Sequence, residues 1–219
     1  TFLCKHASGK PEEYINVALE KGLEDIGISD HNPFPVQIDN WRMSASEWQK
    51  YIQIINRLRK KYGRKIRIRF GVEIDYIPEW KTYISEFKNK NDSDYIIGSV
   101  HYVNGWAIDY EKNIPKLKRV DREKLYHDYF NCVKEMCQQK FCTIVGHLDL
   151  PKKFGYLPEK SMAYYAREAV EAAVDNNITI EINSSGLRWT VGEQYPAMSV
   201  LKLIGKMGGR VCFGSDAHS

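Results

Sequence analysis

The 219 residues suit one domain, and 43% hydrophobic with 27% charged residues is a globular balance rather than a disordered one. The 32 basic and 28 acidic residues leave a net charge of +4, which is too small to argue for nucleic-acid binding and is compatible with an anionic small substrate. Five cysteines, an odd number without a Cys-x-x-Cys pair, suggest neither a disulfide framework nor a zinc knuckle and fit free thiols in a reducing cytoplasm. No apolar run approaches the length of a membrane span.

Helices and strands alternate along the chain. A helix is predicted over 11–22, with Pro11 in its first turn and Gly22 as its cap. The run Asp25-Ile26-Gly27-Ile28-Ser29 reads as a strand. A second helix over 45–62 opens on Ser44 with Glu47 three residues on, a capping-box pattern. Strand 66–72, helix 79–90, strand 95–100, helix 121–140, strand 142–145, helix 160–176, strand 178–182, helix 197–207 and strand 211–213 follow. Strands that each follow a helix imply a parallel sheet with crossover helices, as either a closed barrel or a doubly wound sheet. The longest connections are 30–43 and 102–120, which hold Trp41, Arg42 and Trp106, and long connections are often functional. The charge run Arg57-Leu58-Arg59-Lys60-Lys61 lies on a predicted helix and reads as a solvated face. The chain starts at Thr1 rather than at a methionine and stops at Ser219 straight after a polar cluster, so both ends read as cut.

The chemistry-bearing residues cluster at the strand ends. Strand one runs into Asp30-His31 and strand two into Glu73-Ile74-Asp75. Strand three ends at His101 and strand four at His147-Leu148-Asp149. Strand five ends at Asn183, with Arg188 close behind, and strand six at Asp216-Ala217-His218. In parallel α/β folds the site lies at the carboxyl ends of the strands, so these side chains share one rim, with His6 near it. His127 is mid-helix and reads as packing. One such histidine alone is more often a hydrogen-bonding residue than a ligand, and Asp216 alone could be a helix cap. It is the coincidence at several strand ends that argues for metal.

Imidazole with carboxylate suits zinc, iron and manganese. The number of donors exceeds the needs of one four-coordinate ion, and two or more neighbouring ions are a recurrent device for phosphate-ester hydrolysis. Such ions polarise phosphoryl oxygens, activate a water and stabilise the leaving alkoxide. Arg188 offers a planar fork for phosphate oxygens, and Asn183 is a second candidate phosphate contact.

The set Cys4-Lys5-His6-Ala7-Ser8-Gly9, Ser29-Asp30-His31, Gly71-Val72-Glu73, Gly98-Ser99-Val100-His101, Gly146-His147-Leu148-Asp149 and Gly214-Ser215-Asp216-Ala217-His218 resembles the polymerase-and-histidinol-phosphatase (PHP) family along essentially the whole chain. Within it, Cys4-Lys5-His6 and Gly146-His147-Leu148-Asp149-Leu150 with Lys152-Lys153-Phe154-Gly155 are similar to the histidinol-phosphate phosphatase branch. The resemblance implies an α/β fold, a distorted (β/α)7 TIM-like barrel spanning 1–219 as a single domain. It also implies two or three divalent ions (Zn, Mn or Fe) on His6, His31, Glu73, His101, His147, Asp216 and His218. On that pattern Glu73 bridges two ions and shares one with Asp216, His101 and His147 complete the second, and His6, His31 and His218 hold the third. The family's opening His-x-His strand is missing here, and six strands are counted where the family has seven.

The activity implied is hydrolysis of L-histidinol phosphate to L-histidinol and phosphate, a cytoplasmic step of histidine biosynthesis, with Asp216 or His218 protonating the leaving alcohol. A small phosphate monoester is the expected partner, with neither nucleic acid nor membrane. The rival readings are another PHP phosphoesterase (a broad or phosphotyrosine phosphatase, or a nuclease) and a metal-binding barrel without turnover. A nuclease would show a basic groove with aromatic platforms.

Overall fold

The computed structural model describes residues 2–218. They fall into two compact units, one of residues 2–74, 90–97 and 217–218, the other of Asp75–Asn89 and Gly98–Asp216. Six strands are hydrogen-bonded in the order β1-β2-β3-β6-β7-β8, and a two-stranded hairpin, β4-β5, stands apart.

In the first unit, α1 (Pro11–Glu20) starts at Pro11, and the Glu13 side chain accepts from the backbone N–H of Lys10 at 2.9 Å. Strand β1 (Asp25–His31) pairs in parallel with β2 (Arg67–Asp75), in a register that sets His31 beside Glu73. Between them α2 (Ala45–Tyr62) opens with the expected capping box at Ser44 and Glu47. Tyr51, fully buried on α2, donates its hydroxyl to the carbonyls of Ile28 (2.9 Å) and Gly71 (2.8 Å), which ties the helix to both strands. Strand β3 (Tyr95–Ser99) brings in Tyr95, whose ring fills the space where Gly27 and Gly71 lack side chains. A Cβ on Gly71 would lie 2.2 Å from the Tyr95 ring, so both glycines are required by packing. Leu3, Ile15, Ile55, Leu58, Ile68 and Phe70 are among the side chains of this unit's core.

The second unit contains α3 (Lys81–Lys90, of which residues 81–89 belong here), the hairpin β4 (Tyr102–Val103) and β5 (Trp106–Ala107), α4 (Ile114–Leu117) and α5 (Arg122–Gln138). Strand β6 (Ile144–Val145), α6 (Met162–Asp175), β7 (Thr179–Asn183), α7 (Met198–Lys206) and β8 (Val211–Gly214) complete it. Asp121 caps α5, accepting from the Lys124 N–H at 3.1 Å. Strands β6, β7 and β8 are parallel neighbours. The apolar faces of α5 (Tyr126, Phe130, Val133) and α6 (Tyr165, Ala169, Ala173) are buried.

The six expected strands are all present, each after a helix. Two details differ. The strand expected over 142–145 keeps only two residues, and the 102–120 connection contains the β4-β5 hairpin. That hairpin turns on Asn104 (φ 52°) and Gly105 (φ 78°), the left-handed pair that an Asn-Gly turn adopts.

Candidate active site

In the first unit His6 and His218 lie ring on ring, centroids 4.4 Å apart, and His31 lies 5.8 Å from His6. His6 Nδ1 lies 2.6 Å from the Cys4 carbonyl, which can only accept, so Nδ1 carries the proton and Nε2 presents its lone pair. Ser8 N–H donates to the His218 carbonyl at 2.7 Å and holds the chain's last described residue against its first turn. His31 Nδ1 lies 3.7 Å from a Glu73 carboxylate oxygen, and both side chains are nearly buried.

In the second unit the buried His101 and His147 rings are 4.9 Å apart. His101 Nδ1–H donates to Asp75, a fully buried carboxylate. Such a carboxylate–histidine pair fixes the tautomer and leaves Nε2 for a metal. His147 sits in a strained backbone position (φ 21°), and its N–H donates to Glu181 at 2.9 Å. Burial is the largest influence on the Glu181 carboxyl and pushes it up, although the neighbouring His147 and Asn183 draw it back.

The other predicted residues are placed as follows. Asn183 is buried, its amide N–H donates to Glu181 (2.9 Å), and its oxygen accepts from the Ser185 N–H (2.8 Å). Its side chain thus braces the strand end. Arg188 is exposed, and one guanidinium nitrogen donates to the carbonyls of Ser215 (2.8 Å) and Asp216 (3.0 Å), beside Asp216, whose backbone is left-handed (φ 48°). Arg42, in the 30–43 connection, is buried, donating to Asp39 (2.7 Å) and to the Asn32 carbonyl (3.2 Å). His127 lies edge-on to Tyr165, as packing.

Two residues escaped sequence reasoning. Glu181 looks like one polar position of a strand, and it is the pairing of β7 with β6 that brings it to the His147 backbone. Gly214 is its counterpart: a Cβ there would lie 1.8 Å from the Glu181 carboxylate, so that space belongs to the acid. The second residue is Asp109. The Ile108 N–H donates to the His101 carbonyl at 2.9 Å, folding the hairpin back so that Asp109 follows the strand end. Lys153 donates to the Asp109 carbonyl (2.9 Å) and carboxylate (3.2 Å) and lies over the Trp189 ring at 4.1 Å. Burial would raise the Asp109 carboxyl, but His101, Lys153 and His147 together outweigh it and hold the group below its ordinary value.

Imidazole nitrogens and carboxylates are the donor chemistry of zinc, manganese and iron, and the orientation of His6 and His101 by their Nδ1 hydrogen bonds fits them as ligands. The PHP domain pattern matches residues 1–185. The chain belongs to the PHP domain family.

A Deinococcus radiodurans protein assigned as a histidinol-phosphatase is 34% identical over 219 residues, covering 100% of this chain and 84% of the relative. The crystal structure of a Listeria monocytogenes protein, also assigned as a histidinol phosphatase, superposes with a TM-score of 0.90 at 22% identity, over 100% of this chain and 93% of that one. The histidinol phosphate phosphatase of Lactococcus lactis, in complex with zinc, L-histidinol and phosphate, superposes with a TM-score of 0.80 at 21% identity, over 100% of this chain and 83% of that one. The PHP chain thus shares the α/β fold of these proteins, as the strand-and-helix alternation implied. Among the described residues no helix is long and apolar enough to cross a membrane.

Proposed function

We propose that this PHP chain is a divalent-metal-dependent phosphomonoesterase that hydrolyses L-histidinol phosphate to L-histidinol and phosphate. The match to the Deinococcus protein assigned as a histidinol-phosphatase, 34% identical along the full chain, carries the reading.

The metal-holding residues are His6, His31, Glu73 and His218 in the first unit and His101, His147 and Asp216 in the second, for two or three ions of zinc, manganese or iron. When bound, the ions supply positive charge for the phosphoryl oxygens and acidify water. The chain's own residues do the rest. Asp75 holds His101, and Glu181 holds the backbone of His147. Arg188, anchored by one nitrogen, turns its remaining N–H groups to the phosphate, with Asn183 bracing the same rim. As the water oxygen bonds to phosphorus and the bond from phosphorus to the alcohol oxygen breaks, the proton that the water loses passes through Asp216 or His218 to the leaving alkoxide.

Histidinol phosphate also carries an ammonium and an imidazole. Asp109 suits them: Lys153 takes one of its carboxylate oxygens, and the side chain stays 21% exposed. The enzyme acts in the cytoplasm on a small molecule.

Phosphate release from L-histidinol phosphate, compared with a phosphotyrosine peptide and a single-stranded oligonucleotide, tests the reading. Preference for histidinol phosphate is expected. In Asp109→Asn its KM should rise about tenfold, near the 1–3 kcal/mol of a lost charged hydrogen bond, with little change for p-nitrophenyl phosphate. Faster hydrolysis of either comparison substrate would overturn the substrate assignment.

A further inference from the structure

The turn that opens the chain contains a donor that the metal-holding residues above do not include. Cys4 closes a short 3-10 turn, Phe2–Cys4, and its side chain is buried. Lys5 follows in the left-handed region (φ 60°), bending the chain sharply before His6. Cys4 Sγ, one ring nitrogen of His6 and one of His218 all lie within 4.8 Å of one another. Four-coordinate zinc, with Zn–S of about 2.3 Å and Zn–N of about 2.0–2.1 Å, needs S and N donors about 3.6 Å apart. The three atoms are therefore near enough to close on one ion with small side-chain rotations.

We propose that Cys4 is a thiolate ligand, forming with His6 and His218 a sulfur-bearing metal subsite that favours zinc over manganese.

Two further features agree. The carbonyl of Cys4 accepts from His6 Nδ1, so the residue that supplies the sulfur also fixes the tautomer of its neighbour and leaves Nε2 with the lone pair. Ser8 fixes His218 through its backbone carbonyl, which holds the third donor at the same turn without using its ring. Binding is balanced by release of the Cys4 proton to solvent as the sulfur–metal bond forms. Thiolate is the soft donor of the set. It strengthens zinc and cobalt binding and adds little for manganese, which prefers oxygen ligands.

This inference rests on the metal-dependent reading above and adds a ligand to it. The test loads the full chain with Co²⁺ and records the near-ultraviolet sulfur-to-cobalt charge-transfer band. The band is expected in the wild type and in Cys212→Ser, and it is expected to vanish in Cys4→Ser. Cadmium NMR of the wild type provides a second readout that needs no variant, with one resonance in the thiolate range expected. In metal-competition dialysis Cys4→Ser should lose zinc relative to manganese by roughly tenfold or more. A wild type without the band and without a thiolate-range cadmium resonance overturns the proposal. If histidinol phosphate is still turned over in that case, the phosphatase reading survives and only the sulfur ligand falls. If the band is present but histidinol phosphate is not hydrolysed, the subsite stands and the substrate assignment falls.

Discussion

Lys152 is fully buried, which is rare for a lysine and makes a quantitative test possible. Its ammonium lies 3.3 Å from the Asp149 carboxylate, donates to Glu193 at 2.9 Å and to the Gln194 carbonyl at 2.8 Å, and lies 5.3 Å from the centroid of the Tyr195 ring. Asp149 is itself fully buried and accepts from the Ala197 N–H at 2.7 Å, just ahead of α7. The pair therefore joins the loop after His147 to the segment that starts α7. Lys152→Met keeps most of the volume but leaves the Asp149 carboxyl, which burial already pushes up to about 7, without its cation among Tyr126, Tyr129 and Tyr195. Breaking a fully buried pair by removing one partner costs about 3–5 kcal/mol, a large part of a typical total of about 5–15 kcal/mol. With a urea slope of about 3 kcal/mol per molar for a chain of this size, the unfolding midpoint should fall by about 1–1.7 M. Adding Asp149→Asn removes the uncompensated acid and keeps an oxygen for the Ala197 N–H, so the double variant should recover most of the loss. Urea unfolding followed by far-ultraviolet circular dichroism measures both. A single variant within about 0.3 M of the wild type (under 1 kcal/mol at that slope), or a double variant no better than the single, would refute the reasoning.

Three other changes probe the rim and the acid limb. Asp75→Asn removes the carboxylate that orients His101, so metal affinity measured against a competing chelator should fall about 10–100-fold while the fold is retained. Gly214→Ala drives a methyl into the space of the Glu181 carboxylate. It should cost about 1–3 kcal/mol in thermal unfolding and lower kcat, because Glu181 also holds the His147 backbone. The Glu135 carboxyl accepts from Lys81 (3.0 Å) and Tyr76 (2.9 Å), which hold it below its ordinary 4.5. Between the folded and unfolded values the native state binds fewer protons, so this contribution is present above pH 4.5 and is lost as the pH falls through the lower, folded value. Glu135→Gln should therefore flatten the loss of stability below pH 4.5, as read from unfolding midpoints across an acid pH series.

Which polar residues stand at strand ends was legible in the sequence, because short apolar runs stop there: His31 closes β1 and Glu73 lies near the end of β2 in the first unit, while His101 and His147 follow β3 and β6 in the second. What the sequence hid was pairing. Glu181 in Ile180-Glu181-Ile182 reads as a single polar strand position, and only the pairing of β7 with β8 on one side and β6 on the other brings it against Gly214 and His147. Asp109 lies in a long connection and reaches the rim because Ile108 hydrogen-bonds to His101, a contact with no local signature. The β4-β5 hairpin had one, since Asn104-Gly105 between Val103 and Trp106 is the dipeptide of a tight left-handed turn, and the 102–120 segment was read only as a connection. Arg42 and Lys152 show the opposite case. Cationic residues in polar-looking stretches are buried, because Asp39 and Asp149 are positioned to compensate them.

The most direct test of the central claim is phosphate release from L-histidinol phosphate by the chelator-stripped chain before and after zinc or manganese is restored. We predict no turnover in the stripped protein, recovery on adding metal, and no recovery in His101→Ala. Turnover in the stripped protein, or recovery in His101→Ala equal to the wild type, would contradict it.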